Sequence, residues 1–347
     1  MDPPPRALVV GAGSLGTLYG AVLARAGAEV QLLARRAHAE AIQRAGGVEV
    51  DGPDGRWTAP VSADWRPQRI TPAQIVIVMT KSHDTRDALA GLAHVAGGVE
   101  TAVSFQNGIE KDHLLADWCG PDRVIGGMSM VGATLDQPGR ISHTLRAMTY
   151  VGELPAGTSE RVVRLAEQLE RGGLPVVVAD RIRAAEWSKL AHAGPCMTIT
   201  TLPRLPFDRA LQDEALADLY VRLLSEAAAV ARAGSEPVEL LDLPGTFPVH
   251  TYTTLAHDQA AALVRERGRE MTAAGHTNIT ISMLKDLQDG RRLELDAIHR
   301  YVVEEGGRRG VPVPLSRACL ELLELLDPGG SPVAGGRAST SGRGADH

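Results

Sequence analysis

Ala7-Leu8-Val9-Val10-Gly11-Ala12-Gly13-Ser14-Leu15-Gly16 runs from four apolar residues straight into a G-x-G-x-x-G spacing. An alanine-rich helical pattern follows from Thr17 to Ala26, Gly27 closes it, and Glu29-Val30-Gln31-Leu32-Leu33 reads as a second strand. Strand, glycine turn, helix and strand in one short unit is the context in which that spacing points to a dinucleotide. Gly11 allows the tight turn. Gly13 carries no side chain, so a pyrophosphate can approach the backbone, and Gly16 lets the helix pack closely on the sheet. The free N–H groups at the helix start, at Ser14, Leu15 and Gly16, then meet the phosphate charge.

The second strand ends Leu33-Ala34-Arg35-Arg36. A site that prefers NAD carries Asp or Glu there, to accept from the ribose 2′-OH. Guanidinium groups suit a 2′-phosphate instead, and Arg35 therefore points to NADPH.

At 347 residues the chain is long enough for two domains of about 150 residues each. With 44% apolar and 22% charged residues a packed core is expected, and with 3% aromatics it must be built from Leu, Val, Ile and Ala. A net charge of −6 argues against a nucleic-acid surface. Cys119, Cys196 and Cys319 are far apart and odd in number, so neither a disulfide framework nor a metal pair is expected, and the 11 histidines form no zinc-type motif. Met1-Asp2-Pro3-Pro4-Pro5 has no signal-peptide pattern, and no stretch approaches the ~18 apolar residues of a membrane span. The expected setting is reducing cytoplasm. A homodimer is left open.

Along the chain, a helix is expected over His38–Arg44 and short strands at Val48–Val50 and Trp57–Val61. Gln74–Met79 is a continuous apolar run, as in a strand buried on both faces, and it ends in Thr80-Lys81-Ser82, where ligand-facing loops of a parallel sheet lie. A helix over Thr85–Ala93 follows, then strands at Thr101–Phe105, ending in Gln106-Asn107-Gly108, and at Val124–Met128. Arg140–Glu153 alternates like an antiparallel pair, Ser159–Glu170 is helical, and Val176–Val178 is a last strand. Beyond Asp180 the pattern is helical: Ala185–Thr200, Asp213–Ala233, Ser282–Gln288, Glu294–Arg308 and Ser316–Leu326, with a loop over Asp242–Thr254. The expected division is 1–180, a Rossmann-type α/β domain, 181–327, an all-α domain, and 328–347, a disordered tail.

Lys189 opens a helix that is otherwise small and apolar, so its ammonium either snorkels to solvent or points into a cleft. Asp286, Glu294 and Asp296 read as surface carboxylates, and no spacing rule singles one out.

The glycine loop with Arg35, Trp187-Ser188-Lys189-Leu190, and Ser282-Met283-Leu284-Lys285-Asp286 with Glu294-Leu295-Asp296-Ala297-Ile298 together resemble the ketopantoate reductase family. Thr80-Lys81, Gln106-Asn107-Gly108 and Gly310-Val311-Pro312-Val313-Pro314 look like the same family. The resemblance covers about residues 6–326. It implies a 6-phosphogluconate-dehydrogenase-like pair of domains and an NADPH-dependent reduction of a 2-oxo acid to a 2-hydroxy acid, 2-dehydropantoate to pantoate, on the way to coenzyme A. It implies that Lys189 is the general acid beside the keto oxygen and that Glu294 binds substrate hydroxyl and orients the site. It further implies that Ser282 contacts the substrate carboxylate, that Asn107 lines the nicotinamide–substrate cleft, and that Lys81 lies on the cofactor side.

The family carries asparagines four and eight residues after the lysine, where this chain has Ala193 and Met197. Losing two partners of a substrate hydroxyl points to a more apolar 2-oxo acid. His192, Cys196, Thr198 and Thr200 are read as helix packing. Two other functions compete: an opine-type dehydrogenase that reduces an imine, and a non-catalytic NADPH-binding protein, which loss of Lys189 or Glu294 would have favoured.

Overall fold

The structure is a computed structural model that describes residues 4–244 and 246–329. The chain runs β1 (Arg6–Val10), α1 (Ser14–Arg25), β2 (Glu29–Leu33), α2 (Arg36–Ala45), β3 (Val48–Gly52), β4 (Gly55–Ala59), β5 (Ser62–Asp64), β6 (Ile75–Val78), α3 (Thr85–Ala90), β7 (Thr101–Ser104), α4 (Glu110–Cys119), β8 (Val124–Ser129), β9 (Gly132–Gln137), β10 (Arg140–Leu145), β11 (Thr149–Glu153), α5 (Glu160–Arg171) and β12 (Val176–Val178). Eight of these strands form one sheet in the order β12-β11-β8-β7-β6-β1-β2-β5. Its six strands from β5 to β8 are parallel, and β11 joins β8 antiparallel. From β1 the chain passes to β2 on one side and later to β6 on the other. The carboxyl ends of β1, β2 and β6 therefore surround the point where strand order reverses, the ligand end of a doubly wound sheet.

The other four strands make a small second sheet, β4-β3-β10-β9. It covers the outer side of α1, whose inner side packs on β1 and β2. Residues Gly16 to Ala24 of α1 are consequently all buried, and only a helix of glycine, alanine and a few larger side chains fits between two sheets. The Arg140–Glu153 stretch is not a pair: β10 pairs β9 antiparallel and β3 in parallel, while β11 lies in the large sheet between β8 and β12.

All later elements are helical: α6 (Ile182–Thr201), α7 (Phe207–Gln212), α8 (Glu214–Arg232), α9 (Val249–Thr254), α10 (His257–Ala273), α11 (Ser282–Gln288), a π-helical turn at Asp296–Arg300 running into α12 (Tyr301–Arg309), and α13 (Pro314–Leu326). Three expectations change. The Asp242–Thr254 loop ends in α9. The helix expected from Glu294 starts only at the π turn. The 17-residue α10 was not foreseen. The core of this half is built on α6 and α8, with Trp187, Leu190, Ala191, Tyr220 and Leu224 among its buried residues. Asp327 accepts from the Leu293 and Gly329 N–H groups and so fastens the end of α13. Of the expected tail, residues 330–347 lie outside the described residues. The three cysteines are free and buried, and among the described residues no helix is long and apolar enough to cross a membrane.

Candidate active site

The glycine loop leaves β1 under firm local control. Gly11 and Ala12 both donate to the Leu33 carbonyl, at 3.1 and 3.0 Å. Gly11 has φ +88, and a Cβ there would lie 2.5 Å from the Thr80 nitrogen. A Cβ on Gly16 would lie 2.4 Å from the Gly11 carbonyl oxygen. The protein's own packing thus requires glycine at both positions. It does not at Gly13, where a Cβ would meet nothing within 4 Å. A cradle open at that position, under the unpaired N–H groups of the first turn of α1, fits a dinucleotide pyrophosphate. Ser14 uses its hydroxyl oxygen to accept from Leu135 N–H at 3.0 Å, and Leu15 packs on the core.

Arg35 follows β2 and is exposed, with no ion pair among the described residues. Its neighbour Arg36 pairs with Glu40 at 2.8 Å. On the adjacent strand end, Asp64 is clasped by Arg66 (2.9 and 3.0 Å), whose guanidinium drives that carboxyl down to about 2. This nearby acid is therefore already committed to a cation.

The loops after β6 and β7 are locked together by the Gln106 amide, which donates to the Thr80 carbonyl (2.6 Å) and to Thr85 Oγ1 (2.7 Å). Beyond them the α/β domain meets the helical region. Lys81 Nζ donates to Asp286 Oδ2 and Glu294 Oε2, both at 2.8 Å, and Ser82 N–H donates to Glu294 Oε1 at 3.1 Å. Asp286 and Glu294 are thus not surface carboxylates: their side chains are 8% and 12% exposed, turned inward onto Lys81. Burial pulls the Lys81 pKa down, but Glu294 and Asp286 outweigh it and the net direction is up. Gly108, at φ +88, lets its backbone close on the π turn, since a Cβ would lie 2.4 Å from the Ala297 carbonyl oxygen.

Between these contacts lies a cleft whose lining includes Asn107, Gly127, Glu186, Lys189, Ala193 and Ile298. Lys189 points into it and does not snorkel away; its Nζ donates to the Ser129 carbonyl at 2.6 Å. Burial, reinforced by the Lys111 charge and opposed by Glu294 and Glu186, lowers its pKa to about 8. Beneath it sits a group of charges that sequence reading missed. Lys111 Nζ reaches Asp112 at 2.7 Å and Glu186 at 2.6 Å, and Arg183 reaches Asp112 at 2.8 Å and Glu186 at 2.9 Å. A readable signal existed: only four lysines occur among the 36 Lys and Arg residues, and three of them are Lys81, Lys111 and Lys189.

Ser282, at the start of α11, is exposed and is not part of this lining. Met197 is buried in the helical core, whereas Ala193 borders the cleft. His192 bonds Tyr220 at 2.7 Å and stacks on Phe247, and burial, with Lys189 adding to it, brings its pKa to about 4. Thr198 and Thr200 hydrogen-bond back to their own helix.

Residues 7–156 match the profile described as ketopantoate reductase PanE/ApbA, and residues 181–327 match that of the ketopantoate reductase PanE/ApbA C terminal. The chain is 28% identical over 324 residues to the 2-dehydropantoate 2-reductase of Archaeoglobus fulgidus, spanning 93% of this chain and 98% of that one. It is 29% identical over 332 residues to that of Halobacterium salinarum, spanning 94% and 100%. A crystal structure of a PanE/ApbA family ketopantoate reductase from Ralstonia eutropha JMP134 superposes with a TM-score of 0.77 at 28% identity, over 92% of this chain and 98% of that one. A D-mandelate dehydrogenase solved with NADH and anilino(oxo)acetate shares the fold, with a TM-score of 0.76 at 17% identity over 92% and 98%. Matched in both halves by the profiles of one family, and along nearly its whole length by reductases of that family, the chain belongs to the ketopantoate reductases.

Proposed function

We propose that the protein reduces a 2-oxo acid to a 2-hydroxy acid with NADPH, residues 1–180 holding the cofactor and residues 181–327 presenting Lys189. One observation carries this reading: an ammonium group whose pKa is about 8 stands in a cleft lined from both halves. The reduced nicotinamide, when bound, supplies the hydride. Lys189 has three N–H donors, and the one spent on the Ser129 carbonyl fixes the direction of the others. Those others serve the keto oxygen, which gains negative charge as the reaction proceeds and takes the ammonium proton. Asn107 offers an amide at the same cleft, and Arg35 supplies the charge for the cofactor's 2′-phosphate. Glu294, whose two oxygens accept from Lys81 and Ser82, is the proposed partner of a substrate hydroxyl, and Ser282 is the proposed contact of the substrate carboxylate.

The substrate is either 2-dehydropantoate, which would place the protein in pantothenate synthesis, or a related, more apolar 2-oxo acid. Ala193, Leu190, Met128 and Ile298 on the cleft wall support the apolar alternative. A steady-state panel tests the whole reading: 2-dehydropantoate against 2-oxoisovalerate and phenylpyruvate, with NADPH and with NADH, with and without added amine. The expected result is amine-independent turnover with NADPH preferred, and a preference for NADPH that Arg35→Ala abolishes. A kcat/KM for 2-dehydropantoate in the ordinary enzyme range of about 10⁴–10⁸ M⁻¹s⁻¹ removes the apolar alternative. Strict amine dependence, or no turnover at all, removes the 2-oxo acid reading.

A further inference from the structure

Four ionised side chains meet under the cleft. Lys111 and Asp112 come from the first turn of α4; Arg183 and Glu186 come from the first turns of α6. Lys111, Asp112 and Glu186 are at most 5% exposed. Each carboxylate touches both cations, so the four charges cancel. Glu186 also accepts the Gly127 N–H at 3.1 Å, and Lys189, one turn further along α6, is bonded to the Ser129 carbonyl of the same strand, β8. The beginning of α6 is thereby held against the sheet through one carboxylate and one ammonium, and both border the cleft.

We propose that this four-charge network is the electrostatic seat of Lys189, with Glu186 the positioning residue that keeps its ammonium charged. The inference builds on the role proposed above for Lys189, but its test does not need that role. Replacing buried charges by apolar groups is often neutral or stabilising, so stability alone is a weak reason to place four of them here. Their placement has a direct electrical consequence. The groups that act on Lys189 are Lys111 from α4, Glu186 from its own helix and Glu294 from the segment before the π turn, with Lys81 against Glu294; His192, also on α6, stays neutral near pH 7. Removing the negative charge of Glu186 leaves a net positive seat, which expels the Lys189 proton. Removing the positive charge of Arg183 leaves a net negative seat, which retains it.

Four lysines in the whole chain make the direct measurement practical: titration of ¹³Cε-labelled lysine by NMR, with the Lys189 signal assigned by its loss in Lys189→Ala. Glu186→Gln keeps an acceptor for Gly127 N–H, and Arg183→Gln removes a side chain that is 20% exposed; melting curves confirm that each variant is folded. The Lys189 midpoint should fall by roughly one pH unit in Glu186→Gln, as for a unit charge within about 10 Å at an effective dielectric near 20, and rise by less in Arg183→Gln, whose cation acts on Lys189 through Asp112 and Glu186. Shifts in one direction for both variants, or of less than roughly 0.3 unit in each, overturn the proposal. If only one variant folds, the sign of its shift decides. Full activity in Lys189→Ala would overturn the reaction role of the lysine and not the network, whose effect the titration reads independently of turnover.

Discussion

Lys189 shares the cleft face of α6 with Glu186, Leu190 and Ala193, while Ser188 and Ala191 are buried on other sides of the helix. Replacing it by alanine should lower kcat at least about 100-fold, the ordinary weight of a positioned proton donor, and leave NADPH affinity unchanged in a fluorescence titration. Arginine should not rescue it, since a guanidinium does not release its proton in this range. The donor must be protonated, so kcat/KM should be level below the pKa and decline as pH rises through about 8. A profile still level at pH 9.5 would exclude Lys189 as the acid. Helical spacing marked this lysine only as one polar residue among small apolar ones, and resemblance singled it out. Burial does most to lower its pKa, and the Lys111 charge that adds to it stands on a helix 78 positions earlier, invisible to any local pattern.

The glycine loop and α1 separate two requirements that one motif merges. Gly16→Ala drives a methyl into the Gly11 carbonyl and should cost about 2 kcal/mol, a drop in Tm of several degrees. Gly13→Ala meets no protein atom, so Tm should hold within about a degree while cofactor affinity falls steeply. Equal melting of the two variants would contradict the packing argument; unchanged NADPH binding by Gly13→Ala would contradict the cradle. The elements that could be read from sequence were those whose burial is apolar and periodic, such as β1, β2, β6 and α6. Others failed for physical reasons. Helix α4 turns Lys111 and Asp112 inward beside Leu115 and Cys119, so its buried face does not look hydrophobic. Helix α10 buries only Ala260, Val264 and Gly268, a stripe too thin to notice among charges. Alternation in β10 and β11 showed which residues share a face, but not which strand lies alongside, and the two went to different sheets.

At the scale of the molecule, the halves meet through apolar packing of Ile182 and Ala185 on Met128 and Tyr150, through charge, Lys81 on Asp286 and Glu294, and through bare backbone, Gly108 on Ala297. Lys81→Met leaves two largely buried carboxylates facing each other. Because Lys81 is itself 38% exposed, water softens the penalty, and a fall of a few degrees in Tm is expected by scanning calorimetry. No change would mean that the bridge does not hold the halves. Asp286 and Glu294 read as solvated side chains until the fold brought Lys81, more than 200 positions away, between them. The scarcity of lysine has a practical side. Among side-chain amines only Lys285, on α11, is well exposed, at 60%. Coupling to an activated-ester surface near neutral pH should therefore tether the molecule there or at its amino terminus, whereas a small carbonyl reagent trapped by borohydride would mark the depressed amine at residue 189 and report whether the cleft is filled.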